Sequence, residues 1–385
     1  MSALPSLALA MLILSAVWTL GGLVALAATT RHSRRACAAS TRSSSSALPP
    51  VTILKPLAGA DPALERNLES FFLQDHPDFE IVFGVEDARD PALAVARRLA
   101  LRYPAVRARF VVHGARGGEN PKVRNLRGMW GHATSDLVLV SDSNVRAAPH
   151  VVRELALIAG ADPHVGIVTN VIIGSGETSL AGALEAVQLC GFVAGGAALP
   201  TQLGDAVVVG KSMLFSRRVL DSLGGLERVA DVLAEDHILG KTFQHAGYAV
   251  KVAPTPIDNT IGDVALRDVF ERHVRWALIR FRLRPLAYPL EIISSPLALL
   301  PMVLLAMPPW IAFATCLALA WTRDVGGWLL LRGWRGIHRP LLIAPWRDLF
   351  ALVVWIVAPF RRHVTWRGNR VRVGAGTLLF RAKVV

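Results

Sequence analysis

The chain has 385 residues, 52% of them hydrophobic, and a formal net charge of +13. This hydrophobic share is above that of ordinary soluble domains, so an entirely soluble protein is disfavoured. Many of the arginines flank apolar segments, which favours contact with an anionic membrane surface over binding of nucleic acid. The three cysteines, Cys37, Cys190 and Cys316, have no disulfide or metal-site spacing.

The N-terminal part of the chain is apolar. Residues 4–28 carry no charge and are long enough to cross a hydrocarbon layer of roughly 30 Å. We predict an uncleaved transmembrane anchor over residues 1–30, because the segment lacks a basic leading region and exceeds the core of a usual signal peptide. A cleaved signal peptide is the alternative.

A basic, serine-rich linker is predicted over residues 31–48. It opens with three arginines, Arg31, Arg34 and Arg35. By the positive-inside rule, these arginines indicate that the domain that follows faces the cytoplasm.

The middle of the chain, residues 49–284, is predicted to be one α/β domain. Apolar runs that do not alternate indicate strands buried on both faces. The predicted strands are residues 51–57, 80–85, 108–112 and 137–140. Helical patterns separate them, one beginning at Asp90-Pro91 and another near Lys122. Strands that alternate with helices predict a mostly parallel sheet, whose ligands bind beyond the carboxyl ends of the strands.

Polar residues follow two of these strands. Asp87 comes after the second strand, and Asp142 and Asn144 come after the fourth. Neither position has the glycine-rich loop of a dinucleotide site or a P-loop. A divalent cation held at Asp142 is therefore the natural partner for a phosphate, since Mg²⁺ and Mn²⁺ prefer oxygen ligands.

The C-terminal part, residues 285–385, is predicted to be a membrane region with a basic tail. A hairpin of two short transmembrane helices is predicted over residues 285–321, broken at Pro308 and Pro309. Residues 341–360 are a possible further span, or an interfacial helix, because they contain Arg347 and Asp348. If every segment crosses, the basic tail lies outside the cell, against the positive-inside rule.

Four motifs occur in a fixed order along the chain. They are Asp87, "SDSN" after the fourth strand, "AEDHILGK" at residues 234–241 and "RHVRW" at residues 272–276. Together they resemble the D, D, D, (R/Q)xxRW signature of inverting glycosyltransferases with the GT-A fold. More narrowly, the chain resembles the ceramide glucosyltransferases, carbohydrate-active family 21, also in "ENPKVRNL" and "GVEDARDPA". The similarity runs from about residue 51 through the tail.

The resemblance implies transfer of glucose from UDP-glucose to ceramide or a related lipid alcohol. Asp236 would be the general base. Asp142, assisted by Asn144, would bind Mg²⁺ or Mn²⁺, although "DSN" lacks the second carboxylate of a strict DxD motif.

The same resemblance assigns the donor-binding residues. Asp87 would contact uracil, with Lys55 near the nucleotide. The diphosphate would be closed in by Arg272, Arg275 and Trp276. Lys122 is a further candidate partner of a phosphate.

Each assignment has an alternative. Glu235 and Asp236 could cap a helix, and Asp87 could cap a turn. The arginines of "RHVRW" could contact lipid headgroups, with Trp276 as an interfacial anchor. The apolar residues 184–215 could line a groove for the lipid acceptor or be ordinary core.

Three other functions remain open at this point. They are a hopanoid-associated N-acetylglucosaminyltransferase, a processive polysaccharide synthase and a non-enzymatic lipid-binding scaffold.

Overall fold

The computed structural model describes residues 3–43, 48–61, 63–114, 117–205, 207–366 and 369–381. Its α-helices are α1 Ala3–Ser43, α2 Leu64–Phe72, α3 Pro91–Arg102, α4 Pro121–Trp130, α5 Val151–Ala161, α6 Leu180–Gln188, α7 Ala194–Gln202, α8 Arg217–Ser222, α9 Glu235–His245, α10 Leu266–Leu283, α11 Leu300–Val303, α12 Pro309–Arg332 and α13 His338–Val357. Its strands are β1 Val51–Pro56, β2 Phe79–Val85, β3 Arg107–Val112, β4 Leu137–Ser141, β5 Val145–Arg146, β6 Val165–Ser175, β7 Ser212–Ser216, β8 Ala249–Thr260, β9 His363–Trp366, β10 Asn369–Val373 and β11 Leu379–Arg381.

The first eight strands form one sheet in the order β3-β2-β1-β4-β7-β6-β8-β5. β1 pairs in parallel with both β2 and β4, and β2 pairs in parallel with β3, whereas β7 is antiparallel to its neighbours β4 and β6. The four predicted strands are thus confirmed, and so is the mostly parallel α/β class. β1 and β4 are almost wholly buried, as their unbroken apolar runs require.

The predicted helix start at Asp90-Pro91 is confirmed, and a second capping side chain is found at Asn120. The Asp90 side chain accepts a hydrogen bond from the Ala92 backbone N–H, and α3 begins at Pro91. The Asn120 side chain caps α4 in the same way, accepting from the backbone N–H groups of Lys122 and Val123. These caps fix the starts of two helices that leave the carboxyl edge of the sheet.

The N-terminal helix is longer than predicted. Its apolar part, Leu4–Thr30, is long and apolar enough to cross a membrane. The helix then continues to Ser43, so residues 31–43 of the predicted linker are helical. These residues contain neither glycine nor proline, so nothing in the sequence stops the helix after the apolar part. The rest of the serine run, residues 44–47, lies outside the described residues.

A second apolar segment, Leu180–Gln202, is also long enough to span a membrane. It comprises α6, one π-helical turn at Leu189–Val193 and α7. It connects β6 to β7, and these strands are hydrogen-bonded neighbours in one sheet. A single crossing would put the two strands on opposite sides of the membrane, so this segment does not cross.

The C-terminal apolar region differs from the predicted hairpin over residues 285–321. Its first half forms short helical turns, among them Tyr288–Ser294, Pro296–Leu299 and α11, each too short to span. Pro309 begins the long helix α12 and does not separate two helices, because a proline at the first helical position needs no N–H partner. The third candidate span, His338–Phe360, follows as α13 and its last turn.

Buried charges join α12 to α13. Arg323 lies 2.7 Å from Asp324 and 2.8 Å from Asp348, and Arg347 also pairs with Asp348. Two cations and two anions balance one another, which is how charged side chains are accommodated in an apolar bundle. The charges that made residues 341–360 ambiguous in the sequence therefore face a neighbouring helix.

The described part of the predicted basic tail is folded into strands. β9, β10 and β11 form an antiparallel three-stranded sheet, here called the tail sheet, residues 363–381. The segment just before β11 pairs with the α/β domain through an antiparallel bridge between Val232 and Leu378. The tail sheet and the α/β domain must therefore lie on the same side of any membrane. This rules out an odd number of crossings between residues 285 and 360, including the arrangement in which hairpin and further span all cross.

Candidate active site

Lys55 lies near the carboxyl end of β1 and is fully buried, with an exposed fraction of 0%. Its Nζ donates to the backbone oxygen of Asp142 at 2.7 Å and to Ser141 Oγ at 3.2 Å, and lies 3.6 Å from the ring centroid of Phe71. Burial lowers the pKa of Lys55 well below its usual value. Lys55 thus supports the loop after β4 from within the protein, and a direct contact with a nucleotide stays a prediction.

Lysines and carboxylates form a cluster at this edge of the sheet. Lys122 Nζ lies 3.0 Å from Asp142 Oδ1 and 3.1 Å from Glu235 Oε1. Lys211 Nζ lies 3.5 Å from Asp142 Oδ2. The cluster brings together α4, the loop after β4, the start of β7 and the start of α9, which are far apart in the sequence.

Burial and the neighbouring charges shift the pKa values of the two lysines, Lys122 and Lys211, in this cluster. Burial lowers the pKa of Lys122, but Asp142, Glu235 and Asp236 outweigh that effect and hold it above its usual value. Burial lowers the pKa of Lys211, and the nearby Arg272 adds to the lowering, although Asp142 opposes it. Lys122 is therefore a permanent cation at this edge of the sheet.

Asp236 is joined to the cluster through the peptide groups of Gly210. The Gly210 N–H donates to Asp236 Oδ2 at 2.7 Å, while Lys122 Nζ donates to the Gly210 oxygen at 2.6 Å. A Cβ atom at position 210 would lie only 2.8 Å from Asp236 Oδ2, so glycine is required for this close approach. The other oxygen of Asp236 accepts from the His237 backbone N–H at 2.8 Å.

Asp87 lies on the loop after β2 at the same edge of the sheet. Its side chain is 64% exposed and accepts a hydrogen bond from the Arg89 backbone N–H at 2.9 Å. β2 is separated from β4 by β1. Asp87 is thus available to a ligand that extends along the edge from the charged cluster.

The "RHVRW" motif lies on α10. Arg272 forms an ion pair with Glu185 of α6, whose exposed fraction is 0%. Arg275 follows one turn later, and Trp276 packs partly buried against the core, with its ring centroid 5.0 Å from that of His273. The prediction that these residues close over a donor stays a prediction.

The predicted metal ligands offer one carboxylate and one amide oxygen. Among the described residues, no group of three or more His, Cys, Asp or Glu side chains could share a metal ion. Lys211 Nζ bridges Asp142 Oδ2, at 3.5 Å, and Asn144 Oδ1, at 3.0 Å. One cationic group can therefore reach both oxygens. The pair fits a cation that completes its shell with water and substrate phosphate, as Mg²⁺ commonly does.

Sequence reasoning missed Lys211, Gly210 and Glu185. The first two lie in "AVVVGKSMLF", where one glycine and one lysine interrupt an apolar run just before β7. Glu185 is a single carboxylate in the apolar segment Leu180–Gln202. A buried charge needs a partner, so Glu185 itself was a detectable signal.

The mixed sheet, with its polar cluster at the carboxyl edge, has the GT-A fold. A mannosyltransferase of Pyrobaculum calidifontis, solved with GDP-Man and Mn²⁺, has the same fold, with a TM-score of 0.52 and 18% identity. The alignment covers 91% of this chain and 98% of that protein.

The sequence model described as "Glycosyl transferase family 21" matches residues 14–379, and the chain belongs to that family. Ceramide glucosyltransferase 1 of Caenorhabditis elegans is 29% identical over 62% of this chain and 51% of its own length. The ceramide glucosyltransferase of Komagataella phaffii is 42% identical over 25% of this chain and 19% of its own length. The chain thus spans about half the length of the C. elegans relative.

Proposed function

We propose that this protein is an inverting transferase that moves glucose from UDP-glucose to the hydroxyl group of ceramide or a related lipid alcohol. The observation that carries the proposal is the peptide of Gly210, which joins the Asp236 carboxylate to the lysine-rich end of the sheet. A base and the charges needed by a departing diphosphate thereby belong to one rigid site. Membership of family 21 and the named ceramide glucosyltransferases support the substrate class.

Asp236 is the group proposed to accept the proton. Its two oxygens accept backbone hydrogen bonds from Gly210 and His237, which fix the plane of the carboxylate. The acceptor oxygen forms a bond to the anomeric carbon as its proton passes to Asp236, and the bond from that carbon to the diphosphate breaks with its electron pair leaving on UDP. This single displacement converts an α-linked donor into a β-linked product.

Lys122 and Lys211 are proposed to neutralise the departing diphosphate, with Arg272 nearby. Lys122 serves this role because its pKa is held above the usual value by the surrounding carboxylates. Preorganised positive charge at the position where negative charge develops is commonly the largest single contribution to such catalysis. A divalent cation held by Asp142 and Asn144 would add the same kind of charge stabilisation when bound.

The proposed lipid acceptor would reach the site from the membrane. The apolar helices α1, α12 and α13 adjoin the segment Leu180–Gln202, so a lipid alcohol has an apolar route to the catalytic domain. Asp87, exposed at the sheet edge, is proposed to bind the uracil ring. The arginines after residue 30 support a catalytic domain that faces the cytoplasm.

The test is transfer by the purified full chain in detergent, with UDP-glucose or UDP-N-acetylglucosamine as donor and ceramide or a hopanoid alcohol as acceptor. Mass spectrometry of the lipids should find one glucose added to ceramide. Asp236→Asn should lower kcat by at least a hundredfold, because the base is lost. Asp75→Asn is the control, since Asp75 precedes β2 at the opposite edge and forms an exposed ion pair with Arg153.

Several outcomes would contradict the proposal. Transfer of N-acetylglucosamine to the hopanoid would identify the other lipid transferase, and a product with many sugars would identify a polysaccharide synthase. Lipid binding without release of UDP would indicate a scaffold. An Asp236→Asn variant with normal turnover would refute the base.

A further inference from the structure

Thr377 has an unusual backbone conformation. Its φ of 64° makes it the one non-glycine residue with positive φ in the part of the chain that the structure describes. The residue is fully buried, with an exposed fraction of 0%. A β-branched residue in this region costs on the order of 1–3 kcal/mol and persists only where surrounding contacts hold it.

The contacts that hold Thr377 come from the segment before α9. The Leu233 N–H donates to the Thr377 backbone oxygen at 2.9 Å, and the Ala234 N–H donates to Thr377 Oγ1 at 3.4 Å. The Leu379 N–H donates to the Asp231 oxygen at 2.7 Å. The tail thus satisfies three backbone polar groups of this loop.

That loop leads directly to the proposed base. Ala234 is the N-cap residue of α9 and has no capping side chain, and Asp236 is the second residue of the helix. On the other side of the loop, Asn120 Nδ2 donates to the Val232 oxygen at 2.7 Å. The loop is held between α4 and the tail, so the tail fixes one of its two sides.

Apolar packing extends the same connection to the arginine helix. Leu233 and Leu278 of α10 share a buried cluster with four residues of the tail sheet, Val364, Val371, Val373 and Leu379. Leu278 lies two residues after Trp276. The tail sheet therefore contacts both the segment that carries Asp236 and the helix that carries "RHVRW".

We infer that the tail sheet positions the catalytic base, and that Thr377 is the positioning residue through which it acts. The inference rests on the proposed function, in which Asp236 takes the proton. Thr377 is fully buried and makes its contacts with the loop, so the proposed role is one of positioning. Its hydroxyl and backbone oxygen set the path of residues 233–234 and, through them, the start of α9.

The first experiment compares Thr377→Gly with Thr377→Ser in the full chain. Glycine adopts positive φ without strain, so Thr377→Gly keeps the backbone and removes only the side chain. We expect kcat to fall about tenfold, since small misplacement of a catalytic group costs one to two orders of magnitude. The KM values for both substrates should stay within about twofold, because the donor site is intact. Thr377→Ser, which keeps the hydroxyl, should retain near-normal kcat.

The second experiment uses a disulfide to restore the connection between the tail sheet and the loop before α9. Val232 and Leu378 are directly opposite, and the hydrogen bonds on either side make them a non-hydrogen-bonded pair. Such pairs have Cα atoms about 4.5 Å apart, within the range of a disulfide. Val232→Cys with Leu378→Cys, added to Thr377→Gly, should recover kcat when oxidised and lose it again on reduction.

The outcomes distinguish a failure of the positioning role of Thr377 from a failure of Asp236 as the base. An unchanged kcat in Thr377→Gly, or an oxidised crosslink that recovers no kcat, overturns the positioning role. A fall in kcat matched by an equal rise in KM for UDP-glucose overturns it as well, because the donor site would then be affected. If Asp236→Asn retains its turnover, the assignment of the base fails first, whatever Thr377 does.

Discussion

Lys211 was not predicted from the sequence, yet it contacts both residues that were predicted to bind the metal ion. Its ammonium group bridges Asp142 and Asn144, the two predicted metal ligands. Hydrogen bonds to charged groups contribute roughly 1.5–3 kcal/mol, so Lys211→Met should weaken UDP binding roughly 10- to 100-fold. Isothermal titration with UDP measures this. The exposed Lys251 provides the control Lys251→Met, and equal affinity in both variants would contradict the assigned contact.

The same substitution tests the metal ligands. Removal of the Lys211 ammonium leaves the oxygens of Asp142 and Asn144 without that competing cation. Lys211→Met should therefore bind Mn²⁺ more tightly than the unchanged chain in the absence of nucleotide, as measured by electron paramagnetic resonance of free Mn²⁺. Adding Asp142→Asn should abolish the gain. Equal Mn²⁺ affinity in all three proteins would show that these oxygens do not hold the metal.

His273 gives a prediction about pH. Burial, assisted by Arg272 and other nearby arginines, lowers the pKa of His273 to about 3. The unfolded chain binds a proton here below about pH 6.5, whereas the folded chain does not until about pH 3. Stability that depends on neutral His273 is therefore complete above pH 6.5 and declines as the pH falls through that window.

His273→Phe should remove this loss. Between pH 6.5 and pH 5 the unchanged chain should lose on the order of 2 kcal/mol more free energy of unfolding than the variant. Urea unfolding in detergent at both pH values measures the difference. The exposed His132 supplies the control His132→Gln, and parallel pH dependence in the unchanged chain and His273→Phe would contradict the prediction.

At the scale of elements, the ion pair of Arg272 with Glu185 joins α10 to α6. Arg272→Ala should destabilise the fold by about 3–5 kcal/mol, because the fully buried Glu185 is left without its partner. Adding Glu185→Gln should recover much of that stability. Turnover should not recover, since the positive charge near the proposed diphosphate site is still absent. Recovery of both stability and turnover in the double variant would show that Arg272 is purely structural.

The elements differ in how far the sequence predicts them. β1 to β4 were predictable, because a strand buried on both faces must be apolar throughout, and α3 because Asp90-Pro91 marks its start. Among site residues, those directly after strands were predictable from chain order alone. The partners of Lys211 and Glu185 were not, because they come from contacts between β7, α6 and α10, although Glu185 is visible in the sequence as a single carboxylate in an apolar segment. The tail sheet was missed because its arginines and short strands resemble a basic tail until its partner loop is known.

At the scale of the whole molecule, the tail sheet pairs with the α/β domain, so both must lie on the same side of a membrane. In a chain freed of its native cysteines, Leu101→Cys and Phe380→Cys should react equally with an impermeant maleimide in sealed vesicles. Both side chains are exposed, at 83% and 42%. Detergent-opened vesicles show full labelling as the control. Labelling of only one position before the detergent is added would refute the even number of crossings.

The order of the tail sheet in the chain has a consequence for biosynthesis. The ribosome makes the loop at residues 231–234 before α12 and α13, and makes the strands that hold this loop only afterwards. In the nascent chain this loop is therefore held from the α4 side alone until both late helices have left the ribosome. The proposed base would accordingly reach its final position only after residues 363–381 have folded against the loop.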